Sequence, residues 1–122
     1  MKSAGVVLAA GSSRRMGSPK QLLVVDGRPL LELVIARVCE SRLDEVVVVL
    51  GAAVEEIRAK VDFGRARVIV NPDHASGMAS SLRAGIAVLD GGVGRAVVIL
   101  GDQPDISAEM LDRLLDLQVE SA

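Results

Sequence analysis

Four short apolar runs constrain the fold of this 122-residue chain more than any other feature. They lie at residues 4–9, 46–50, 67–70 and 96–100, and consist largely of valine, isoleucine, leucine and alanine. Their apolar residues do not alternate with polar ones, so each predicted strand would be buried on both faces. Such strands are typical of a parallel sheet that helices cover on each side. We therefore predict a sheet built from these strands.

The segments between the runs carry the periodicity of amphipathic helices. Pro29 is suited to a first helical turn, and Ser107 precedes an apolar helical pattern, as helix-capping residues do. The predicted helices span residues 29–42, 53–61, 78–89 and 107–119. Right-handed crossovers between parallel strands then give an open, doubly wound α/β sheet of the Rossmann-like type.

The composition indicates one compact domain over residues 1–122, because half of the residues are apolar. A net charge of −2 gives no electrostatic support for nucleic-acid binding. The single cysteine, Cys39, excludes an internal disulfide and fits a reducing compartment. No run is long enough to span a membrane, and the apolar N-terminal segment is better explained as a buried strand than as a signal peptide. We expect a cytoplasmic protein without a membrane or nucleic-acid partner.

The segment that follows the first apolar run, residues 10–20, combines small residues and glycines with two arginines and a lysine. Such a loop lets backbone N–H groups approach an anion while its cations neutralise charge, which suits a nucleoside triphosphate. It is not a P-loop, because Met16 stands where the second glycine is required. It is not a dinucleotide fingerprint either, because Ser13 replaces that motif's second glycine. An ordinary basic loop is the alternative.

Polar segments follow directly on three of the predicted strands, at residues 10–20, 71–81 and 101–105. Ligands of open α/β sheets bind beyond the carboxyl ends of the strands, so we expect these segments to form one site. Asp102 ends an apolar strand and suits Mg²⁺, which prefers oxygen ligands; a plain turn residue is the alternative. His74, the single histidine, is expected to be exposed and structural.

The chemistry that fits such a site is attack of an acceptor phosphate on the α-phosphorus of an NTP, with release of pyrophosphate. The acceptor is already an anionic nucleophile, so cations and alignment matter more than a general base. Backbone N–H groups from Ala10 to Ser13, together with Arg15, are suited to hold the β- and γ-phosphates, and Lys20 the α-phosphate. Solvated surface charge is the alternative for Arg15 and Lys20.

The pattern Leu-Ala-Ala-Gly-x-Ser-x-Arg-Met-Gly-x-x-Lys at residues 8–20 resembles the signature of the MobA-like NTP transferases. Within that family it is most similar to the molybdenum cofactor cytidylyltransferases. Further matches lie at residues 26–31, 71–73, 76–82 and 101–104. The resemblance covers nearly the whole chain, and it implies the fold of the nucleotide-diphospho-sugar transferases.

The resemblance implies a nucleotidyltransferase that moves CMP from CTP to molybdopterin or the molybdenum cofactor, with Mg²⁺ as cofactor and a molybdoenzyme as maturation partner. It implies catalytic roles for Arg15, Lys20 and Asp102, the last also as a metal ligand. Nucleotide contacts are implied for Leu8, Ala9, Ala10, Gly11, Ser12, Ser13, Asn71, Gly77, Met78, Ser80 and Ser81. Helix capping is the alternative role for Ser80 and Ser81. A sugar-phosphate or polyol-phosphate acceptor, or a nucleotide-binding module without transferase activity, are the alternative functions.

Cytidylyl members of the family resemble this chain at Ala10, where guanylyl members tend to have glycine, so we expect CTP to be preferred over GTP. Complete members continue well beyond residue 122 and supply further strands, a second acidic metal ligand and much of the acceptor site. We therefore expect the nucleotide half of a longer protein, with little transfer activity of its own. The strand at 96–100 is then expected to form an apolar edge of the sheet.

Overall fold

The computed structural model describes residues 2–12, 14–15 and 17–117, with residues 14–15 described by their backbone alone. The described chain is built around a sheet of parallel strands in the order β3-β2-β1-β4. The strands are β1 (Lys2–Ala9), β2 (Glu45–Leu50), β3 (Arg67–Val70) and β4 (Val93–Leu100). The predicted doubly wound sheet is confirmed, because the strand order reverses after β3.

Helices of the described chain begin within one residue of their predicted starts. They are α1 (Leu30–Glu40), α2 (Val54–Lys60), α3 (Met78–Ala87) and α4 (Ala108–Asp116). Ser107 caps α4, since its hydroxyl accepts a hydrogen bond from the Met110 N–H at 3.1 Å. The predicted last two residues of α4, 118–119, lie outside the described residues.

The helices cover both faces of the sheet. One apolar cluster joins α1, α2 and α4 to one face, with Ile35, Ile57 and Leu111 fully buried. A smaller cluster on the other face contains Val6 and Val49 and receives α3. Parallel strands buried on both faces are the arrangement that the uninterrupted apolar runs predicted.

Helix α3 approaches the sheet very closely at Gly85. A Cβ atom at Gly85 would lie 2.6 Å from Cγ1 of Val6, so any larger residue would push the helix outward. This contact fixes the rotation of α3 about its axis. It therefore decides which side chains of the first turn face the carboxyl ends of the strands.

Two short antiparallel ladders interrupt the path from β1 to α1. Arg14–Arg15 pairs with Ser18–Pro19, and Val24–Val25 pairs with Arg28–Pro29. The second ladder turns at residues 26–27, whose φ angles of 51° and 77° suit a tight type I′ hairpin. The first ladder lies within residues 10–20, so the segment predicted as a loop contains a hairpin.

Strands β3 and β4 form the two edges of the sheet. Within the described residues β4 pairs with β1 alone, and Val98 at its centre is 46% exposed. The expected apolar edge at 96–100 is confirmed. None of the helices in the described ranges is long and apolar enough to cross a membrane.

Candidate active site at the carboxyl ends of the strands

A cleft of about 430 Å³ opens at the carboxyl ends of β1 and β4, beside the start of α3. The segments that follow β1, β3 and β4 all contribute to it, so the predicted convergence of three strand ends is confirmed. The predicted site residues that line the cleft are Leu8, Ala9, Ala10, Gly11, Ser12, Lys20, Gly77, Met78, Ser81 and Asp102.

Other predicted residues are not part of this lining. Ser13 and the side chain of Arg15 lie outside the described residues, so their phosphate contacts stay predictions. Asn71 and Ser80 lie behind the cleft wall, with exposures of only 5% and 8%. The lining also contains residues that were not assigned to the site from the sequence, namely Gln21, His74, Ala75, Leu100 and Gly101.

Lys20 and Asp102 form an ion pair at the cleft. The Lys20 Nζ lies 2.9 Å from the Asp102 Oδ2, although the two residues are 82 positions apart. Lys20 begins a short 3-10 helix (Lys20–Leu22), and Asp102 lies in the turn after β4. Their side chains are 36% and 42% exposed. An exposed pair of this kind contributes only about 0–1 kcal/mol to stability, so either charge can exchange its partner for a ligand.

The turn that carries Asp102 is anchored to the end of β1. The Gly101 N–H donates a hydrogen bond to the Leu8 carbonyl at 2.9 Å. A Cβ atom at Gly101 would lie 3.1 Å from the same oxygen and 3.1 Å from the Cβ of Ala9. Because glycine permits this close approach, the Asp102 carboxylate is presented beside the loop that follows β1.

Gln21 holds the first turn of that loop. Its Nε2 donates hydrogen bonds to the carbonyls of Ala9 and Gly11, each at 2.9 Å. The side chain is buried, and its Oε1 has no hydrogen-bond partner among the described residues. The sequence signal for Gln21 is its position directly after Lys20 in the loop.

Asn71 ties the segment after β3 to the first turn of α3. Its Nδ2 donates hydrogen bonds to Ser80 Oγ at 2.9 Å and to Ser81 Oγ at 3.0 Å, and its Oδ1 accepts one from the Asp73 N–H at 3.0 Å. Ser80 Oγ also lies 2.8 Å from the Gly77 carbonyl. The Ser80 hydroxyl is thus committed to the fold, whereas Ser81 lines the cleft.

His74 is half-buried and lines the cleft, rather than being exposed as expected. It packs against Gly51, where a Cβ atom would lie 2.5 Å from the His74 Cβ and 2.9 Å from the Ala10 Cβ. Its Nδ1 lies 3.3 Å from the Asn71 carbonyl, which can only accept a hydrogen bond. His74 therefore packs the segment that contains Asn71 against Gly51, at the end of β2.

Asp102 is the acidic residue of the described cleft lining. No three His, Cys, Asp or Glu side chains of the described chain are grouped closely enough to hold a metal ion by themselves. A divalent cation at Asp102 would take its other ligands from water and from bound phosphates. Mg²⁺ is commonly held in this way, by one or two carboxylates together with substrate phosphates.

The sequence matches the MobA-like NTP transferase domain over residues 5–122. It is also 40% identical over 112 residues to nicotine blue oxidoreductase of Paenarthrobacter nicotinovorans, a match that covers 91% of this chain and 54% of that protein.

Solved structures show the same architecture. Rv0371c of Mycobacterium tuberculosis H37Rv matches with a TM-score of 0.84 at 33% identity, covering 95% of this chain and 59% of that one. Its complex with manganese matches with a TM-score of 0.83 at 31% identity over the same shares. A nucleotidyl transferase from Methanothermobacter matches with a TM-score of 0.80 at 29% identity, covering 92% of this chain and 56% of that one.

The chain spans about half the length of these relatives. The matched residues 5–122 include the parallel sheet from Gly5 onward and every described residue of the cleft. The chain belongs to the MobA-like NTP transferase family.

Proposed function

We propose that residues 1–122 form the nucleotide-binding half of a nucleotidyltransferase, which transfers NMP from an NTP to a phosphate acceptor and releases pyrophosphate. The observation that carries this proposal is the Lys20–Asp102 pair, which sets a cation and a carboxylate 2.9 Å apart beside a glycine-containing loop. A bound metal–NTP complex matches both side chains, because its phosphates can bind Lys20 and its metal cation can bind Asp102.

The loop after β1 and Lys20 bind and align the triphosphate in this proposal. Gly11 and Ser12 line the cleft, and their backbone N–H groups have no partner among the described residues. These N–H groups, with Arg15, hold the β- and γ-phosphates, while Lys20 stabilises charge on the α-phosphate during transfer. The acceptor phosphate needs no general base, because it is already an anionic nucleophile.

The residues of the cleft fit a divalent cation at Asp102. Its carboxylate already binds a cationic group, the Lys20 ammonium. It is also exposed enough for a metal ion bound there to take water and phosphate oxygens as its other ligands. We assign Mg²⁺ to this position, which the manganese complex of Rv0371c supports at the level of a divalent metal. When bound, the ion neutralises phosphate charge and acts as a Lewis acid.

CTP is the proposed donor nucleotide, on the strength of Ala10. This residue lines the cleft with only 7% of its surface exposed. Its Cβ lies beside Gly51, where an added Cβ atom would come within 2.9 Å of it, so its methyl group has little room to withdraw from a purine. Molybdopterin is the proposed acceptor, and a molybdoenzyme the proposed maturation partner. A free Cys39 and the use of an NTP support a cytoplasmic location.

A nucleotide-binding module without transferase activity is the second candidate, because the chain spans about half the length of its relatives. The two candidates differ in pyrophosphate release. We expect residues 1–122 alone to release little pyrophosphate from CTP and molybdopterin, and a protein of the relatives' full length to release it readily. Equal release by both would contradict our division of the family's fold into a nucleotide half and an acceptor half.

Calorimetric titration with CTP tests the nucleotide site itself. We expect binding in the presence of Mg²⁺, a marked loss of affinity in EDTA, and loss of that metal dependence in Asp102→Asn. Asp105→Asn is the matched control, since Asp105 lies in the same connection between β4 and α4, is exposed and does not line the cleft. CTP affinity that is the same with Mg²⁺, with EDTA and in Asp102→Asn would contradict the metal assignment.

A further inference from the structure

The proposed nucleotide site assigns no function to the hydrogen bonds that the Gln21 side chain makes. The residue follows Lys20 directly and is only 7% exposed, and both N–H donors of its side-chain amide are used on the backbone of the loop that follows β1. The acceptors are the carbonyls of Ala9 and Gly11, at 2.9 Å each, so the amide bridges the two residues on either side of Ala10.

The orientation of this amide is fixed by its partners. Carbonyl oxygens only accept hydrogen bonds, so Nε2 and not Oε1 must face them. Oε1 is then buried without a partner among the described residues. A methionine would fill similar space without burying an unpaired acceptor. The fold keeps a glutamine at a position where its oxygen is unfavourable, which indicates that its two N–H donors are what the site uses.

The two hydrogen bonds also determine where the loop N–H groups point. A peptide unit is planar and trans, so the N–H of a residue points opposite to the carbonyl of the residue before it. By holding the Gly11 carbonyl, Gln21 directs the Ser12 N–H away from itself. Ser12 lines the cleft, and its N–H has no acceptor among the described residues. Holding the Ala9 carbonyl fixes the peptide unit that leads into Ala10 in the same manner.

We propose that Gln21 is a positioning residue for the triphosphate. It turns the carbonyls of Ala9 and Gly11 away from the bound phosphates and presents the Ser12 N–H to them. The inference rests on the proposed function, because it assumes that the phosphates bind at this loop.

Calorimetry with Mg²⁺–CTP and with tripolyphosphate tests the inference on Gln21→Met, which removes both donors at similar volume. We expect affinity for both probes to fall at least tenfold at a temperature where circular dichroism shows the variant to be fully folded, even though loss of the donor to the buried Ala9 carbonyl lowers its melting temperature. Leu22→Met is the matched control, a buried neighbour in the same 3-10 helix with no polar contact. Unchanged affinity of Gln21→Met for both probes would overturn the positioning role.

Failure of the inference can be told apart from failure of the proposed function. If the wild type binds Mg²⁺–CTP and Gln21→Met binds it equally well, the inference fails and the proposed function stands. If the wild type binds neither probe, the proposed function fails. Should Gln21→Met not fold, side-chain amide exchange in the wild type decides: the Gln21 NH₂ group must exchange far more slowly than that of exposed Gln103 and shift on nucleotide binding. Exchange as fast as that of Gln103 would also overturn the inference.

Discussion

The cleft has two walls that are built in opposite ways. The charged wall consists of Lys20 and Asp102, whose side chains are 36% and 42% exposed and bind each other. The polar wall consists of Ser81, which lines the cleft, and of Asn71 and Ser80 directly behind it; all three are at least nine-tenths buried and joined by hydrogen bonds. The charged wall is open to solvent and its charges can exchange partners, whereas the hydrogen bonds of the polar wall are already formed without a ligand.

This difference separates ligand binding from folding. An exposed ion pair adds little to the stability of the fold, so a change in the charged wall is expected to alter affinity and leave folding intact. A buried, fully hydrogen-bonded amide is different, because removing it leaves its former partners without hydrogen bonds in the interior. Changes in the polar wall are therefore expected to act first on stability.

The largest expected effect is on the polar wall. Asn71→Ala removes one acceptor and two donor contacts at once, so we expect the free energy of unfolding to fall by about 3 kcal/mol. Urea denaturation measures it. Ser76→Ala is the matched control, since Ser76 makes an exposed hydrogen bond to Asp73 in the same segment, and it should shift stability by less than about 0.5 kcal/mol. Equal effects of the two variants would remove the distinction between buried and exposed polar contacts.

The next effect is on the charged wall. Lys20→Ala is expected to weaken Mg²⁺–CTP binding by about 2 kcal/mol, because a charge-assisted contact to phosphate is lost. Its melting temperature should stay near that of the wild type. Lys60→Ala, which removes an exposed lysine of α2 paired with Glu56, serves as the control. If Lys20→Ala binds CTP as the wild type does but melts at a lower temperature, Lys20 supports folding and not ligand binding, which contradicts the distinction between the two walls.

The same variant sharpens the comparison when Mn²⁺ is titrated without nucleotide. In the wild type the Lys20 ammonium occupies the Asp102 carboxylate, so a metal ion must compete with it. We therefore expect Lys20→Ala to bind Mn²⁺ more tightly than the wild type, while binding Mg²⁺–CTP more weakly. Weaker Mn²⁺ binding by Lys20→Ala would contradict competition between the Lys20 ammonium and the metal ion for Asp102.

The smallest expected effect concerns Ala10, which lies between the two walls. A single methyl group discriminates ligands by about 1–3 kcal/mol, so the preference for CTP over GTP should be graded. Ala10→Gly is expected to narrow that preference by about 1 kcal/mol. Competition binding of both nucleotides to the two proteins measures it. A wild type that prefers GTP would contradict the pyrimidine assignment.

The charged wall and the sheet could be predicted from the sequence because both depend on local patterns. Apolar runs without alternation place β1 to β4 within three residues of their observed starts. Lys20 and Asp102 each follow a strand, and parallel strands bring such ends to one edge of the sheet. Topology therefore predicts that both residues lie at one site, whereas their ion pair depends on side-chain conformation.

The polar wall and Gln21 could not be predicted in the same way. Whether Ser80 faces the cleft or Asn71 depends on the rotation of α3, which the contact of Gly85 with Val6 fixes. The hydrogen bonds of Gln21 join a side chain to carbonyls 10 and 12 residues earlier, and no periodicity of the sequence encodes them. Nor does any periodicity of the sequence reveal the hairpin of Arg14–Arg15 and Ser18–Pro19, because its strands are only two residues long.

In the proposed function, a metal–nucleotide complex binds between the loop after β1 and Asp102. Paramagnetic broadening by Mn²⁺–CTP in the amide NMR spectrum tests it most directly. We predict selective loss of the Ser12, Gly101 and Asp102 amide signals, reversed when Mg²⁺ replaces Mn²⁺. Signals at the opposite end of the sheet, where Lys2 pairs with Asp90 at 2.7 Å, should persist. Broadening centred on Asp90, with the Ser12 and Asp102 signals intact, would contradict the account.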